Sequence, residues 1–234
     1  MLLLSLLHRI YKKLTGKYFE LTYAQTGEDI IIDFLINAKH IKEFSYLDIG
    51  ANHPTKFNNT FKFYEQGFRG VNIEPDPNLF GTLKKIRSQD VNLNIGIAAA
   101  ANTEADFYMM HTPLLNTFSK QEADDLVNKG LSSIKEVAKI KLQTVTSIIE
   151  EYFKKKAPTF INLDVEGLDE EILRTFPFDK YRPYIFCIET VHYTNDASSE
   201  KRKEIMELMK NNGYKPFADT YINTIFIDAQ LTQE

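Results

Sequence analysis

The 234-residue chain predicts an α/β fold built on a doubly wound, mostly parallel sheet. Three observations carry this reading. From Ser45 onward short apolar runs alternate with amphipathic stretches, which is the signature of repeated βα units. Pro77 stands where a helix begins, a position at which its missing N–H costs nothing. Two short runs close the chain near enough in sequence to pair antiparallel. At 43% hydrophobic and 26% charged residues, with ten Gly and eight Pro, the composition excludes a collagen-like, low-complexity or wholly disordered chain. The length favours one large domain, and no internal repeat or linker rich in Pro, Gly or Ser divides it.

Taken in order, Tyr46–Ile49 is a first strand, Phe57–Gln66 a helix ending at Gly67, and Gly70–Glu74 a second strand. A helix from Pro77 to Ser88 leads into a third strand at Val91–Ile97. In the less regular middle, Asp106–Met110 and Val137–Val145 read as strands and Lys120–Lys129 as a polar helix. Ser147–Lys155 is helical, Thr159–Asp164 a buried strand, Asp169–Thr175 a helix and Tyr184–Glu189 another buried strand. A helix over Ser199–Asn211 stops at Gly213, and Tyr214–Phe217 with Tyr221–Ile227 form the terminal antiparallel pair.

A net charge of −4 and a pI near 5.8 argue against a general nucleic-acid binder, which needs a clustered cationic surface. The single cysteine, Cys187, cannot form an intramolecular disulfide or a cysteine-based zinc site, which points to a reducing compartment. At the amino terminus, Met1–Leu7 is apolar and is followed by Arg9, Lys12, Lys13 and Lys17, with no acidic residue before Glu20. The run is far below the roughly 20 residues that span a bilayer. A secretory signal would also place its charges before the apolar block. The expected location is therefore the cytoplasm. Leucine and isoleucine at 3, 6, 7, 10 and 14 have helical spacing. Residues 1–22 thus read as an amphipathic extension, either lying on an anionic membrane surface or packed on the domain or on a second copy of the chain.

Ligands of doubly wound sheets bind beyond the carboxyl ends of the strands, so Asp48-Ile-Gly-Ala-Asn52 and Glu74 matter most. A dinucleotide needs further glycines where backbone approaches its pyrophosphate, and this loop offers only Gly50. A nucleoside without phosphate has no such need, and Glu74 can accept both ribose hydroxyls. The combination points to S-adenosylmethionine; capping of helices by Asp48 or Glu74 is the alternative.

The series Tyr23-Ala-Gln-Thr-Gly-Glu-Asp29, Leu47-Asp-Ile-Gly-Ala-Asn-His-Pro54, Asn58-Asn-Thr60, Phe63-Tyr-Glu-Gln-Gly-Phe-Arg-Gly70, Asn72-Ile-Glu-Pro-Asp-Pro77, Asn162-Leu-Asp-Val-Glu-Gly167 and Cys187-Ile-Glu-Thr190 resembles the FkbM family of methyltransferases. The likeness runs in order from about Tyr23 to Ile227, within a domain spanning 23–234. It implies a Rossmann-like class I methyltransferase using S-adenosylmethionine, typically an O-methyltransferase of sugars in glycans, surface polysaccharides or secondary metabolites. The expected sheet is seven-stranded and mostly parallel, with the last strand antiparallel. Asn58 stands where the family often has Ser, and Phe68 where it often has Trp. Carried over by position, Asp48, Gly50 and Asn52 line the methionine end of the cofactor and Glu74 holds the ribose. Gln25, with Glu28-Asp29, closes over it, although Thr26 and these acidic residues also suit a helix start. Asn59 and Thr60 join the cofactor set, or simply cap the following helix. Gly96-Ile97-Ala98 is an adenine wall or ordinary core.

Methyl transfer to a sugar hydroxyl needs alignment and removal of a proton. Asp164 and Glu166 fall at the carboxyl end of a central strand and share one face if that strand continues. Glu189 and His192 follow the next strand. The catalytic candidates are therefore Asp164, Glu166, Glu189 and His192. Asp164, Glu189 and His192 also have the ligand character of a divalent metal site, although no spacing demands one. His53 either touches the acceptor or shapes its turn, and the segment from His111 to Thr117 is a candidate substrate-facing loop. Two rivals remain open: a nicotinamide or nucleotide-sugar oxidoreductase on the same fold, and a catalytically silent cofactor-binding subunit of a glycan-assembly complex.

Overall fold

The computed structural model of the chain describes residues 10–11, 13–16, 20–101, 103–165, 168–191 and 201–232. The first half contains α1 (Glu28–Ala38), β1 (Ser45–Ile49), α2 (Phe61–Glu65), β2 (Arg69–Ile73), α3 (Pro77–Ile86), β3 (Val91–Leu93), β4 (Gly96–Ile97) and β5 (Thr103–Met110). The second half contains α4 (Lys120–Asn128), β6 (Ile134–Gln143), α5 (Val145–Tyr152), β7 (Phe160–Leu163), α6 (Asp169–Thr175), β8 (Ile185–Glu189), α7 (Lys203–Asn211), β9 (Tyr214–Asp219) and β10 (Asn223–Asp228).

Seven strands form the main sheet in the order β3-β2-β1-β7-β8-β10-β9. Pairing is parallel from β3 to β8, and β10 runs antiparallel to both β8 and β9. The expected seven-stranded sheet with an antiparallel last strand is thus present. Chain order reverses between β1 and β7, the place at which open sheets bind ligands. Side-chain alternation sends Leu47, Ile49, Ile73, Ile161 and Leu163 to one face, against Ile148 and Ile149 of α5 and Ile172 and Leu173 of α6. Tyr46, Phe160, Ile185 and Cys187 occupy the other face, with Ile32, Leu35 and Ile36 of α1.

Two sequence boundaries are corrected. The strand expected over Val91–Ile97 is two strands, because Asn94 leaves the ladder and its Nδ2 donates to the carbonyls of Glu74 and Pro75, both at 2.8 Å. The chain then enters a second, three-stranded sheet in the order β4-β6-β5. The helix expected from Phe57 begins only at Phe61, with Thr60 at the N-cap position, since Asn58 Oδ1 accepts the amides of Thr60 and Phe61 at 3.0 and 2.8 Å and holds the chain in a turn ahead of the helix. Pro77 does open α3, behind Asp76, whose Oδ1 accepts the Asn78 amide at 2.7 Å.

A buried polar row crosses the second face. Asn72 of β2, Asp48 of β1 and Asn162 of β7 are register partners, so their side chains lie side by side. Arg87, just past α3, is fully buried beneath them. Its guanidinium pairs with Asp90 at 2.9 Å and donates to Tyr46 Oη at 2.9 Å and Thr60 Oγ1 at 3.1 Å. Asp90 in turn accepts from Tyr46, from the Gly70 amide and from Asn72. The rings of Tyr46, Phe61 and Tyr64 surround the cation within 5.7 Å. Removing one partner of such a pair strands a buried charge and costs about 3–5 kcal/mol. Asp90→Ala is expected to lower unfolding free energy by that amount in urea denaturation, and the double variant Arg87→Met, Asp90→Leu to recover much of it. Equal losses in both variants would show that a stranded charge is not what destabilises Asp90→Ala.

Candidate active site

The carboxyl ends of β1, β2 and β7 are tied together by their own loops. After β1 the amides of Gly50 and Ala51 both donate to the Ile73 carbonyl at 3.0 Å, and the Asp164 amide donates to the Ile49 carbonyl at 3.1 Å. Gly50 has φ +82°, and a Cβ there would lie 1.8 Å from the Asp164 carbonyl oxygen. Only glycine lets these two loops meet. Asn52, also left-handed at φ +49°, turns its amide onto Glu74 Oε2 at 2.7 Å, while Glu74 Oε1 accepts the Asp76 amide at 2.8 Å.

Above these loops lies a cavity of about 170 Å³, open to solvent. Its floor includes Asp48, Gly50, Asn52 and Glu74, and its apolar wall includes Ile97, Phe107, Leu115 and Phe118 from the second sheet and the turn that follows β5. A roof from Thr112 to Phe118 is tied down by Asn116, whose Nδ2 donates to Asp76 Oδ2 at 3.1 Å and whose Oδ1 accepts the Met110 amide at 2.7 Å. The expected substrate-facing loop is therefore at the cavity; His111 instead engages Ser133. A wider hollow of about 780 Å³ opens where Lys39–Glu43 and Pro158 precede the strands, at the opposite end of the sheet from the carboxyl termini. It touches none of the residues above.

Of the cofactor candidates, Gln25, Asp48, Gly50, Asn52, Asn59, Glu74 and Ile97 line the cavity. Thr60 does not. Its hydroxyl donates to Asp48 Oδ2 at 2.6 Å, and Asn162 Nδ2 donates to Asp48 Oδ1 at 2.9 Å, so Thr60 holds a lining residue from behind. Asn59 donates to Asn162 Oδ1 at 2.9 Å and does not cap the helix. The expectation that Glu28 and Asp29 close over the cofactor is also corrected. Glu28 is buried and binds Thr220 and Asn223 of the β9–β10 hairpin at 2.7 and 2.9 Å, while Asp29 accepts from Thr22 and the Tyr23 amide. Only Gln25 of that segment reaches the cavity, as an exposed side chain. His53 shapes its turn, its Nδ1 accepting the Thr55 and Lys56 amides at 3.3 and 3.0 Å.

Among the catalytic candidates, Asp164 and Glu189 both line the cavity. Strand β7 stops at Leu163, so Asp164 projects from the first residue of the loop and no strand continues to Glu166. Asp164 does not cap α6: the loop is tied instead by Asp169 Oδ1, which accepts the Val165 amide at 3.1 Å. Glu166 and His192 lie outside the described residues. Among the described residues no group of three His, Cys, Asp or Glu is placed to hold a metal ion. Cys187 is buried in its strand, where burial raises its thiol well above the usual range and keeps it protonated.

Burial raises the Asp48 carboxyl, opposed by the hydrogen bonds of Thr60, Asn162 and Asn58 and by the Arg87 charge. Burial also pushes Glu74 up to about 8, against the lowering effect of the two amides it accepts and with the carboxylates of Asp76 and Asp48 adding to the rise. Asp164 is pushed up to about 7 by burial, then by the negative charges of Asp169, Asp48 and Glu28. Sequence reading missed Arg87, Asn72 and Asn162. The readable signal was a polar residue at the centre of three apolar strands, in Leu-Asp-Ile, Val-Asn-Ile and Ile-Asn-Leu.

The arrangement fits an uncharged adenosine carrying a sulfonium. An acidic side chain ends β2, an apolar wall faces it, and the one-glycine bend leaves no cradle for a pyrophosphate. The family model for the methyltransferase FkbM domain matches residues 48–216. No curated protein matches the sequence. Among solved structures, the chain is similar to a putative caffeoyl-CoA O-methyltransferase from Staphylococcus aureus, at 10% identity over 94% of this chain and 89% of that one, with a TM-score of 0.48. It is also similar to a TehB-like SAM-dependent methyltransferase from Corynebacterium glutamicum, at 10% identity over 96% and 97% of the two chains, with a TM-score of 0.44.

Hydroxyl donors on Glu74 would favour its ionised form, so ribose binding there would lower its pKa and release a proton. Affinity for S-adenosylhomocysteine is therefore expected to rise roughly tenfold or more from pH 6 to pH 8 and then level off. Calorimetry would measure this; a flat profile, or an unchanged slope in Glu74→Gln, would remove Glu74 from the ribose contact.

Proposed function

The chain belongs to the methyltransferase FkbM domain family and is an S-adenosylmethionine-dependent methyltransferase; from that premise we propose that it methylates a hydroxyl of a saccharide, in a glycan, a surface polysaccharide or a sugar-bearing metabolite. The observation that carries the proton-transfer part of this reading is Asp164. Its carboxylate is half-buried, lines the same cavity as Glu74, receives no hydrogen bond among the described residues, and is raised to about 7. A base of that strength accepts a hydroxyl proton near neutral pH, which a carboxylate at its ordinary value does poorly.

When bound, S-adenosylmethionine supplies the methyl group as an electrophilic carbon on a sulfonium. Asp164 takes the acceptor's proton as the acceptor oxygen gains the methyl, and later returns that proton to solvent through the open mouth. Glu189, at the end of β8, supplies a second carboxylate to the same cavity and restricts how the acceptor can lie. Asp48 stays behind the reaction as part of the floor, its lone pairs occupied by Thr60 and Asn162. The saccharide class itself is supported by the family, in which sugars are typical acceptors.

Asp164→Asn is expected to lower kcat at least a hundredfold while calorimetry shows S-adenosylhomocysteine binding retained. In the parent protein kcat should climb through about pH 7, because Asp164 must be unprotonated to act, and that limb should vanish in the variant. Unchanged turnover in Asp164→Asn would remove it as the base. Absence of any turnover in the parent would favour the silent subunit.

Residues 1–22 support peripheral contact with an anionic membrane. Residues 10–11 and 13–15 are helical, and Leu14 and Ile10, one turn apart, are 79% and 45% exposed, with Lys13 next to Leu14 in the same described stretch. Among the described residues no helix is long and apolar enough to cross a membrane. Co-sedimentation with phosphatidylserine-containing vesicles, weakened by salt and by Leu14→Glu and absent with phosphatidylcholine alone, is the expected result; equal recovery with both lipids would end this part of the reading.

A further inference from the structure

We propose that Phe57 is the acceptor platform, an aromatic face on which the C–H side of a pyranose ring stacks as its hydroxyl meets Asp164. This rests on the saccharide reading and gives it a place. Phe57 lines the cavity and is 44% exposed, so its ring is open to a ligand there. Its backbone is left-handed, at φ +54°, a conformation that bulky residues adopt only when their surroundings impose it.

The surroundings do so. The His53 ring accepts the amides of Thr55 and Lys56, the Asn58 amide donates to the Tyr23 carbonyl at 3.0 Å, and Asn58 Nδ2 donates to the Ala51 carbonyl at 3.0 Å. The loop is therefore braced on both sides of Phe57, and the bracing delivers an aromatic ring to the cavity instead of to the core. Lys56 Nζ lies 4.8 Å from the ring centroid. No other aromatic ring is stacked on it among the described residues. A sugar ring has the matching shape: apolar C–H bonds on one side, met by an aromatic face, and hydroxyls at its edge, met by the amides of Gln25 and Asn59 in the same cavity.

The test separates this proposal from the saccharide reading and from a cofactor contact. Saturation-transfer NMR is recorded on protein loaded with S-adenosylhomocysteine in the presence of a panel of methyl hexopyranosides. The parent and Phe57→Trp are expected to saturate the ring C–H protons of at least one of them, and Phe57→Ala to lose that signal while calorimetry shows S-adenosylhomocysteine binding within twofold of the parent. Where turnover is measured, acceptor KM should rise about tenfold in Phe57→Ala with kcat little changed. Phe57→Asn, which tolerates the left-handed backbone, should lose the signal without lowering the thermal midpoint. Saturation in the parent that persists in Phe57→Ala overturns the platform and leaves the saccharide reading intact. Weakened S-adenosylhomocysteine binding in Phe57→Ala assigns the ring to the cofactor and also overturns it. No saturation of any pyranoside in the parent overturns both.

Discussion

The interaction on which the rest depends is the buried ion pair between Arg87 and Asp90. A guanidinium at the centre of a small domain is tolerated because each of its faces and edges is used: the carboxylate on one side, three aromatic rings around it, and the oxygens of Tyr46, Thr60 and Asn72 beyond. Its positive charge lets Asp48 sit fully enclosed one strand away, and Thr60 links the two directly. From Asp48 the hydrogen bonds continue to Asn162 and Asn59, at the wall of the cavity. A stability device under the sheet and the floor of the active site are thus one connected object.

The site itself is made by contact between loops. Gly50 lies against the Asp164 carbonyl, the Asn52 amide reaches Glu74, and Asp76 joins Glu74 to the roof through Asn116. Each contact links the ends of different strands, so the positions of Asp164 and Glu74 are coupled by short bonds and not by side-chain packing alone. Two carboxylates raised toward neutrality in one cavity follow from the same enclosure: the backbone crowds around them while few cations do.

Most of the sheet was legible because buried strands in such folds are short apolar runs, and their order followed from alternation with helices. The endpoints were less so. Asn94 reads as one more strand residue, and its departure depends on carbonyls twenty residues earlier in the chain. Phe57–Thr60 have the residue types of a first helical turn, yet Asn58 folds them into a separate turn and Thr60 stands at the N-cap. The family resemblance put Glu28 and Asp29 either over the cofactor or at a helix start; they form the first turn of α1, and their partners lie in the β9–β10 hairpin and in residues 22–23. Arg87 could not be singled out, since a cation after a helix normally stays in solvent near the negative end of the dipole. Its burial is decided by Asp90, Tyr46 and Thr60, which come from three separate segments of the chain.

Within the second sheet, β4 and β6 are held by a parallel pairing of only two residues, Gly96 with Leu142 and Ile97 with Gln143. Everything between Ile97 and Leu142 forms an excursion hung on that short seam, and the excursion supplies the ceiling of the pocket. Such an insert can lengthen, shorten or change its lining while the loops beneath it keep their shape, because extra loop length carries a small entropic cost. The wall that Ile97, Phe107, Leu115 and Phe118 present to the cavity can therefore change side chain by side chain without disturbing the bonds that knit the β1, β2 and β7 loops.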